Sequence, residues 1–543
     1  MRTRRWLPSD PGGILVGFLL AALSVTPSLL PRPALLQGVV TGLSFAIGYA
    51  FGALLLALLT RYVTWRPSAR ARRSARWGFA GVMLAASVVV AVAALGWQNE
   101  VRRFVEMPPA TGLDLTLFFV GAIPTAVLCI LVGRGMRALY RMLRTRVGVS
   151  VAGISTAVLV GIGVFLLGVV AMSAIDGVYQ ARNAGPADEV SEPSSSYRSA
   201  GVDSALDWND LGRHGSVFIG GGPTTAEIEA ATGAEAVNPI RVYAGLASAD
   251  TSKERAALAV QELERTGAFD RSVLVVATPT GSGWLEAQTV DSLEYLHGGD
   301  TAIVAAQYAY TPSWVSFVFD PDAPIESART LFDAVYEHWA TLPSTDRPQL
   351  VVYGLSLGAH GGQGSFADLA DLQQRTDGAL FVGSPNGSPM WRNLTAQRDA
   401  GSPIWRPVLD DGSAVRWMST PADFEALPGQ WNSPRVAYLQ HATDPVTWLG
   451  PELIWAEPDW LKSGQRAADV SPSMRWIPVV TGVQVVVDML MGESVPARHG
   501  HNYGDVVLDG WRAVTGDGGL DAVATDRIRT IIAGYAVSAS STD

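Results

Sequence analysis

The stretch QLVVYGLSLGAHGG, residues 349–362, decides the fold of the second part of this chain. It begins with strand-forming residues, continues through the pattern GLSLG, and ends in small residues that open a helix. A strand, a sharp turn and a helix are the context that a G-x-S-x-G nucleophile elbow requires. The stretch therefore predicts that Ser356 is a nucleophile at the carboxyl end of a buried strand, with a simple glycine-rich turn as the alternative.

Short apolar runs rich in Val, Ile and Tyr recur on both sides of this stretch. They are IRVYAGL from 240, SVLVVATPT from 272, TAIVAAQYAY from 301, ALFVGSP from 379 and RVAYLQHAT from 435. Helical patterns separate several of them, such as KERAALAVQELERTG from Lys253 and ESARTLFDAVYEHWATL from Glu326. Continuously apolar strands that alternate with amphipathic helices predict an α/β domain, a mostly parallel sheet with helices on both faces.

A serine attacks at neutral pH only with the help of a base, so an acid and a His should follow Ser356 in the chain. Asp444 falls just beyond the RVAYLQHAT strand, where a triad acid lies, although an Asp-Pro turn is the alternative. Only two of the seven His, His499 and His501, follow Asp444. We predict His501 as the base in preference to His499, because GHNYGD leads directly into the terminal helix pattern.

The tetrahedral intermediate of acyl transfer needs hydrogen-bond donors for its oxyanion. We predict the backbone N–H of Leu357, the residue after the nucleophile, as one donor. The loop in VVATPTGSGW supplies the other through Gly281 and Ser282, and Trp284 can line the substrate pocket. A phosphate cradle is the alternative, but this loop lacks the G-x-x-x-x-G-K-[ST] signature of nucleotide binding.

Composition argues against several other kinds of site. The single cysteine, Cys129, lies in an apolar run, so we predict no disulfide and no thiolate metal site. His499 and His501 have no third ligand at convincing spacing, so we predict neither a metal nor any other cofactor. After Ile175 the chain has 23 basic and 46 acidic residues, which is a poor electrostatic match for nucleic acid. Nucleic acid is therefore not an expected partner, and the oligomeric state is left open.

The first third of the chain has a different composition, with 17 Arg, no Lys and four acidic residues up to Ile175. Five apolar stretches there are long enough to cross a bilayer core, which takes about 20 residues. They are approximately 14–30, 34–59, 77–97, 115–132 and 151–175. None has an ionisable side chain in its middle, which argues against a transporter or channel. The sequence predicts a membrane-embedded domain of five transmembrane helices over residues 1–175.

The arginines predict the orientation of these spans, since short loops rich in Arg stay in the cytoplasm. The N-terminus, the loop between the second and third spans and the loop between the fourth and fifth spans are rich in Arg. With five spans, these three segments share one side only if the N-terminus is cytoplasmic. The residues after Ile175 are then predicted to be extracytoplasmic, in a multi-pass protein of the cell membrane.

Residues 176–215 are rich in Ser, Pro, Gly and acidic residues and predict a linker, with an ordered strap as the alternative for the second half. We assign residues 216–543 to the α/β domain, with an insertion at about 387–432. The insertion contains four Trp, namely Trp391, Trp405, Trp417 and Trp431, and the apolar segment WIPVVTGVQVVVDMLMG precedes His501. We hypothesise that both form a lid or acyl groove facing the membrane, with ordinary core packing as the alternative.

Motifs along most of the chain resemble one known family. They are TPSLLPR, NPIRVYAGL, RTGAFDRSVLVVATPTGSGW, EYLHGGDTAIVAAQYAYTPSW, YGLSLGAHGG, the Asp444 segment and GHNYG. The chain resembles the actinobacterial membrane-anchored α/β-hydrolases, formerly described as a domain of unknown function. The resemblance implies an α/β-hydrolase domain behind several spans and a serine triad that maps to Ser356, Asp444 and His501. It supplies no substrate, and Leu355 departs from a pattern in which an acidic residue commonly precedes the nucleophile.

These observations predict a membrane-anchored, extracytoplasmic serine hydrolase that acts on an acyl ester as an esterase, lipase or acyltransferase. The lid hypothesis suggests an envelope lipid or glycolipid as the substrate. A non-catalytic scaffold of the same fold that binds cell-envelope partners is the main alternative. A transporter or channel with an accessory domain is a further one.

Overall fold

The computed structural model describes residues 10–60, 62, 68–427 and 429–535, and the chain forms two compact units. The first unit contains the residues up to Met172, together with Leu453–Ala456 and Ala468–Met491. The second unit contains Ser173–Glu452, Glu457–Ala467 and the residues from Gly492 onward. The sequence assigned Ala468–Met491 to the α/β domain, whereas the structure packs this segment with the N-terminal helices.

The N-terminal region is helical. Its helices are α1 (Pro11–Ser24), α2 (Ala34–Leu59), α3 (Ala69–Phe104), α4 (Gly112–Val147) and α5 (Val149–Asn183). Among the described residues, α2 to α5 are long and apolar enough to cross a membrane. The first helix has 14 residues and is shorter than the roughly 20 that a span requires. Five apolar helices are therefore present where five spans were predicted, but four have spanning length, because three prolines follow α1 within nine residues.

Glycines let α1, α2 and α4 pack closely. A Cβ at Gly52 of α2 would lie 2.3 Å from the carbonyl oxygen of Gly12 in α1. A Cβ at Gly121 of α4 would lie 2.4 Å from the carbonyl oxygen of Leu35 in α2. Contact through small residues is typical of helices in a bilayer, where apolar side chains gain little by leaving the lipid.

A buried ion pair joins the segment Ala468–Met491 to the turn that follows α1. The Oδ1 atom of Asp488 lies 2.7 Å from Nε of Arg32, and both side chains are almost completely buried. The same carboxylate accepts hydrogen bonds from Ser28 Oγ at 3.1 Å and from the Leu29 backbone N–H at 3.0 Å. Because the carboxylate is paired and hydrogen-bonded, this charge is tolerated inside the unit.

We expect Asp488→Ala to lower the free energy of unfolding by about 3–5 kcal/mol, because it leaves Arg32 as an unpaired buried charge. Thermal unfolding of the detergent-solubilised protein measures the loss, with Asp526→Ala at an exposed aspartate as the control. A loss below about 1 kcal/mol would be that of a surface ion pair and would contradict the burial described above.

The second unit is built on a parallel sheet. Its strands are β1 (Ile240–Ala244), β2 (Val273–Thr278), β3 (Thr301–Ala306), β4 (Gln349–Leu355), β5 (Gly378–Val382), β6 (Val415–Met418) and β7 (Arg435–Leu439). In the described residues these seven strands pair in the order β1-β3-β2-β4-β5-β7-β6, and every pairing is parallel. Six of them are the predicted strands. The seventh, β6, is a four-residue edge strand inside the predicted insertion.

Helices cover the sheet in two layers. The remaining helices are α6 (Gly212–Gly220), α7 (Thr225–Thr232), α8 (Ser252–Thr266), α9 (Ala287–Leu296), α10 (Ser313–Phe319), α11 (Ala323–Trp339), α12 (Leu357–Gly364), α13 (Leu369–Arg375), α14 (Pro389–Ala396), α15 (Pro445–Trp448), α16 (Val480–Met489, in the first unit), α17 (Val506–Thr515) and α18 (Ala522–Ala533). One layer has α11 between α8 and α12, and the other has α9 packed against α17 and α18. The predicted α/β architecture of a parallel sheet and helices is confirmed.

The second half of the predicted linker is an ordered strap on the sheet edge. Helix α5 runs on to Asn183, past the predicted end of the last span. The Ser199 N–H then donates to the carbonyl of Arg241 in β1 at 3.1 Å, and Leu206 and Leu211 are buried. Apolar burial therefore holds this segment in place, which corresponds to the strap alternative.

The tryptophans of the predicted insertion form core rather than a lid. Trp391, Trp417 and Trp431 are at most 9% exposed, whereas Trp405 is partly exposed. The Trp391 indole donates to Oε1 of Gln440 at 2.7 Å, and Trp417 stacks on a tyrosine of β7. Three of the four Trp are therefore unavailable as an acyl groove.

Candidate active site

Ser356 occupies a strained turn between β4 and α12. Its backbone has φ 53° and ψ −123°, a conformation that costs a residue other than glycine about 1–3 kcal/mol. The Ser356 N–H donates to the carbonyl of Val382 at 2.8 Å, and its own carbonyl accepts from the N–H of His360 at 3.1 Å. These bonds hold the serine at the carboxyl end of a central strand, where an elbow nucleophile is expected.

The two glycines of the elbow are required by close backbone contacts. A Cβ at Gly354 would lie 2.3 Å from the carbonyl oxygen of Gly358. A Cβ at Gly358 would lie 2.1 Å from the carbonyl oxygen of Thr278, the last residue of β2. Glycine spacing around Ser356 therefore follows from packing, and this packing brings the end of β2 against the elbow.

Asp444 orients His501. The Oδ2 atom of Asp444 lies 2.7 Å from Nδ1 of His501, and both side chains are buried. The Tyr503 hydroxyl donates to the same oxygen at 2.8 Å, while Oδ1 accepts from the N–H of Val446 at the start of α15. One carboxylate thus caps the Asp-Pro turn and contacts the imidazole, so the two interpretations of Asp444 are compatible.

The other imidazole nitrogen is the one that a general base uses. Nε2 of His501 is buried and has no hydrogen-bond partner among the described residues. A Cβ at Gly383 would lie 2.4 Å from Cε1 of His501, so glycine is needed there for the ring to approach. Gly383 follows Val382, whose carbonyl accepts the hydrogen bond from Ser356. The nucleophile and the base therefore meet neighbouring residues at the end of β5.

The structure gives His499 and the metal alternative no comparable geometry. The imidazole that contacts the Asp444 carboxylate is that of His501, and the carbonyl of His499 accepts from the Asn502 N–H at 3.1 Å. Across the described part of the chain, no group of three or more His, Cys, Asp or Glu side chains is arranged to hold a metal ion.

The predicted oxyanion donors lie in two elements. Leu357 begins α12, and the first N–H groups of a helix have no partner within the helix. Gly281, with φ +48°, lies in the loop after β2. The carbonyl of Ser282 accepts from Nε2 of Gln307 at 2.7 Å, which fixes that loop. The oxyanion role of Leu357, Gly281 and Ser282 stays a prediction.

A small polar cavity adjoins the base. It is lined by Trp284, Glu286, Gln288, Leu355, Glu493, His501 and Asn502. Its free volume of about 10 Å³ is roughly the space of one water molecule. Trp284, predicted to line the substrate pocket, therefore lines a cavity next to His501. Leu355 contributes no charge to this cavity. The acidic groups of the cavity are instead the side chains of Glu286 and Glu493.

Three carboxylates set the basicity of His501. Burial lowers the pKa of His501, but Asp444, Glu493 and Glu286 outweigh it and hold the pKa above the ordinary 6.5. Burial also raises the pKa of Glu493 to about 7, and its Oε2 atom has no hydrogen-bond partner within the described residues. Burial raises the pKa of Glu286 as well, against a hydrogen bond from the Thr289 hydroxyl.

Sequence reasoning missed Glu286, Glu493, Tyr503 and Gly383 as members of the site. Tyr503 lies in the quoted motif GHNYGD, and Gly383 follows a predicted strand, so both had a local signal. The two glutamates lie far apart in the chain, and no local sequence pattern indicates a role for either of them. Only the fold brings them to one cavity.

Comparison with protein families agrees with this geometry. A model described as an alpha/beta-hydrolase family matches residues 240–528, more than half of the chain, and a model of that family's N-terminus matches residues 25–223. The chain therefore belongs to this alpha/beta-hydrolase family and has its distinct N-terminal region, which confirms the resemblance seen in the sequence. No curated protein and no solved structure matches the chain.

We expect Glu493→Gln to move the acid limb of the pH profile of kcat/KM to lower pH. The base must be neutral to accept a proton, and above pH 7 the ionised Glu493 raises the pKa of His501, so its removal lets His501 stay neutral at lower pH. Hydrolysis of a soluble p-nitrophenyl ester across roughly pH 5 to 9 measures the shift. Glu337→Gln, at an exposed position outside the cavity, is the control. An unchanged limb, or a shift to higher pH, would contradict the assigned role of Glu493.

Proposed function

We propose that the protein is a membrane-anchored serine hydrolase that cleaves or transfers an acyl ester. The observation that carries this proposal is the hydrogen bond between Asp444 and His501 beside the strained elbow of Ser356. Ser356 follows β4, Asp444 follows β7 and His501 lies in the loop before α17, which gives the chain order serine, acid, histidine. The family supports a hydrolase scaffold, and the site supplies the nucleophile, base and acid.

In the first step, Ser356 Oγ attacks the ester carbonyl while His501 Nε2 takes the hydroxyl proton. The oxyanion then collapses, the C–O bond to the alcohol breaks, and the alcohol leaves with the proton from His501. Asp444 stabilises the imidazolium between these events. In the second step, water or a sugar hydroxyl attacks the carbonyl of the acyl-serine and gives its proton to His501 Nε2. The bond between the acyl carbon and Ser356 Oγ then breaks, His501 returns the proton to Oγ, and the acid or the new ester leaves. The N–H groups of Leu357, Gly281 and Ser282 are the proposed oxyanion donors.

An envelope lipid or glycolipid is the substrate class that we propose. The apolar helices α2 to α5 support a location at a membrane, where such esters are found. The cavity beside His501 offers oxygen acceptors from Glu286, Gln288 and Asn502. Because this cavity has the volume of about one water molecule, those groups would receive a single hydroxyl of the alcohol portion and not the whole of it.

We further propose that the α/β unit is extracytoplasmic. The loop that joins α2 and α3 is rich in Arg and therefore favours the cytoplasm, as does the end of α4. Helix α3 then leads outward and α5 does the same, so the orientation of the second unit does not depend on whether α1 crosses. The main alternative, a non-catalytic scaffold, would not require the arrangement of Ser356, Asp444 and His501 described above.

Contacts inside the first unit support the same orientation. Glu100, near the end of α3, accepts hydrogen bonds from the hydroxyls of Ser471 and Ser473 at 2.5 and 2.8 Å. Arg70 lies 30 residues earlier in the same helix, which corresponds to about 45 Å. The segment Ala468–Met491 thus docks at the end of α3 opposite Arg70, an end that also contains Arg102 and Arg103.

A fluorophosphonate probe should label the wild-type protein and should fail to label Ser356→Ala, because the probe reacts with an activated serine hydroxyl. Ser344→Ala, at an exposed loop serine, should label like the wild type. Labelling is read by in-gel fluorescence on full-length protein in membranes and in detergent. Equal labelling of Ser356→Ala, or no labelling of the wild type in either medium, would favour the non-catalytic scaffold.

Cysteine labelling tests the orientation. In a Cys129→Ser background, Ser344→Cys should react with an impermeant maleimide in intact spheroplasts, because the second unit is proposed to face outward. Thr145→Cys, at the exposed Arg-rich end of α4, should react only after permeabilisation. The reverse pattern would place the active site in the cytoplasm.

A further inference from the structure

Helix α16 buries its polar side chains and exposes two of its valines, while Val485 is buried. Thr481, Gln484 and Asp488 are 0%, 3% and 0% exposed, whereas Val483 and Val486 are 52% and 51% exposed. A helix at the surface of a water-soluble protein has the opposite arrangement, with its apolar stripe turned to the core. In a bilayer, polar side chains face the protein interior and apolar ones face the lipid.

Most polar groups of the buried face of α16 have partners inside the first unit, although Oε1 of Gln484 has none among the described residues. Nε2 of Gln484 donates to the carbonyl and to the hydroxyl of Thr26 at 2.9 and 3.0 Å. Asp488 pairs with Arg32, whose second nitrogen donates to Gln37 at 2.8 Å. These partners lie in the turn after α1 and at the start of α2. The charged carboxylate of Asp488 and the amide nitrogen of Gln484 are therefore bonded to protein groups rather than to water, as a position within lipid requires.

The exposed apolar face extends beyond α16. Side chains of the same unit that are 44% to 65% exposed continue it, namely Leu15, Leu19, Ile454, Trp455, Val479 and Leu490. Helix α1 contacts α16, so Leu15 and Leu19 belong to the neighbouring helix. The patch is thus continuous with the helical region whose longer members have the length and composition to cross a membrane.

We propose that α16 is a half-span that lies among the acyl chains of one bilayer leaflet, packed on α1. This inference rests on the membrane anchoring proposed above. Its 10 residues rise about 15 Å, half of the roughly 30 Å hydrocarbon core, and α1 is also too short to cross it. The occupant of the exposed valine face is therefore lipid, and the leaflet is the outer one if the α/β unit is extracytoplasmic.

The half-span leads directly into the loop that bears the base. Three residues after Met489, the carbonyl of Gly492 accepts a hydrogen bond from the His501 N–H at 2.7 Å. Glu493 of the polar cavity is the next residue. Helix α16 and the loop that bears His501 are therefore adjacent in the chain, so that a change in one is directly connected to the other.

Spin-label accessibility tests the half-span. A nitroxide is attached to Val486→Cys in the full chain, in a Cys129→Ser background and in phospholipid nanodiscs. Two similarly exposed valines serve as references: Val88→Cys on α3, at 57% exposed, for lipid, and Val523→Cys on α18, at 63% exposed, for water. We expect the ratio of collisions with oxygen to collisions with a nickel chelate to be several-fold higher at Val486 than at Val523, and close to that at Val88.

The references separate two kinds of failure. A lipid-like Val88 with a water-like Val486 would overturn the half-span and leave the anchor intact. A water-like Val88 would overturn the membrane anchoring itself. If Val486→Cys does not fold, Val483→Cys on the same face gives the same measurement.

Discussion

The carboxylate of Asp444 is the group on which the catalytic geometry depends. It is completely buried, and its two oxygens receive the His501 imidazole, the Tyr503 hydroxyl and the backbone N–H of Val446. A buried carboxylate is stable only with such partners. Because one oxygen caps α15 while the other holds His501, the acid cannot turn away from the base without leaving a helix end unsatisfied. The turn after β7 therefore fixes the tautomer and the direction of the imidazole.

Ser356, the proposed nucleophile, is positioned by backbone strain, which the surrounding sheet sustains. Ser356 keeps a positive φ because Gly354 and Gly358 permit contacts that any Cβ would block, and because Val382 accepts its N–H. Neighbouring Gly383 makes room for His501. The small residues at the carboxyl ends of β4 and β5 thus leave space for the site. The larger functional side chains lie on loops and extend into this space.

Sequence patterns predicted the features that depend on residues close together in the chain. Six strands and the elbow follow from apolar runs and turn residues, and the chain order of the triad restricted the base to His499 or His501. The cavity carboxylates Glu286 and Glu493 could not be predicted, because their meeting depends on the folded arrangement of distant loops. Apolarity alone also did not predict that α16 packs with the N-terminal helices. Its polar positions 481, 484 and 488 have helical spacing, but a sequence does not state which side of a helix meets a partner.

Each unit contains buried charges that are paired with charges of opposite sign. The exposed surface is apolar in the first unit and polar in the second. In the first unit, Arg32 and Asp488 are paired beneath an apolar exterior; in the second, Arg241 is paired with Glu294 beneath a polar one. The first surface is stable against lipid and the second against water. The chain passes from the second unit to the first near residue 468 and returns near 491. Under the membrane anchoring proposed above, such a chain would satisfy both surfaces where water and hydrocarbon meet, which is where the proposed lipid ester would present its carbonyl.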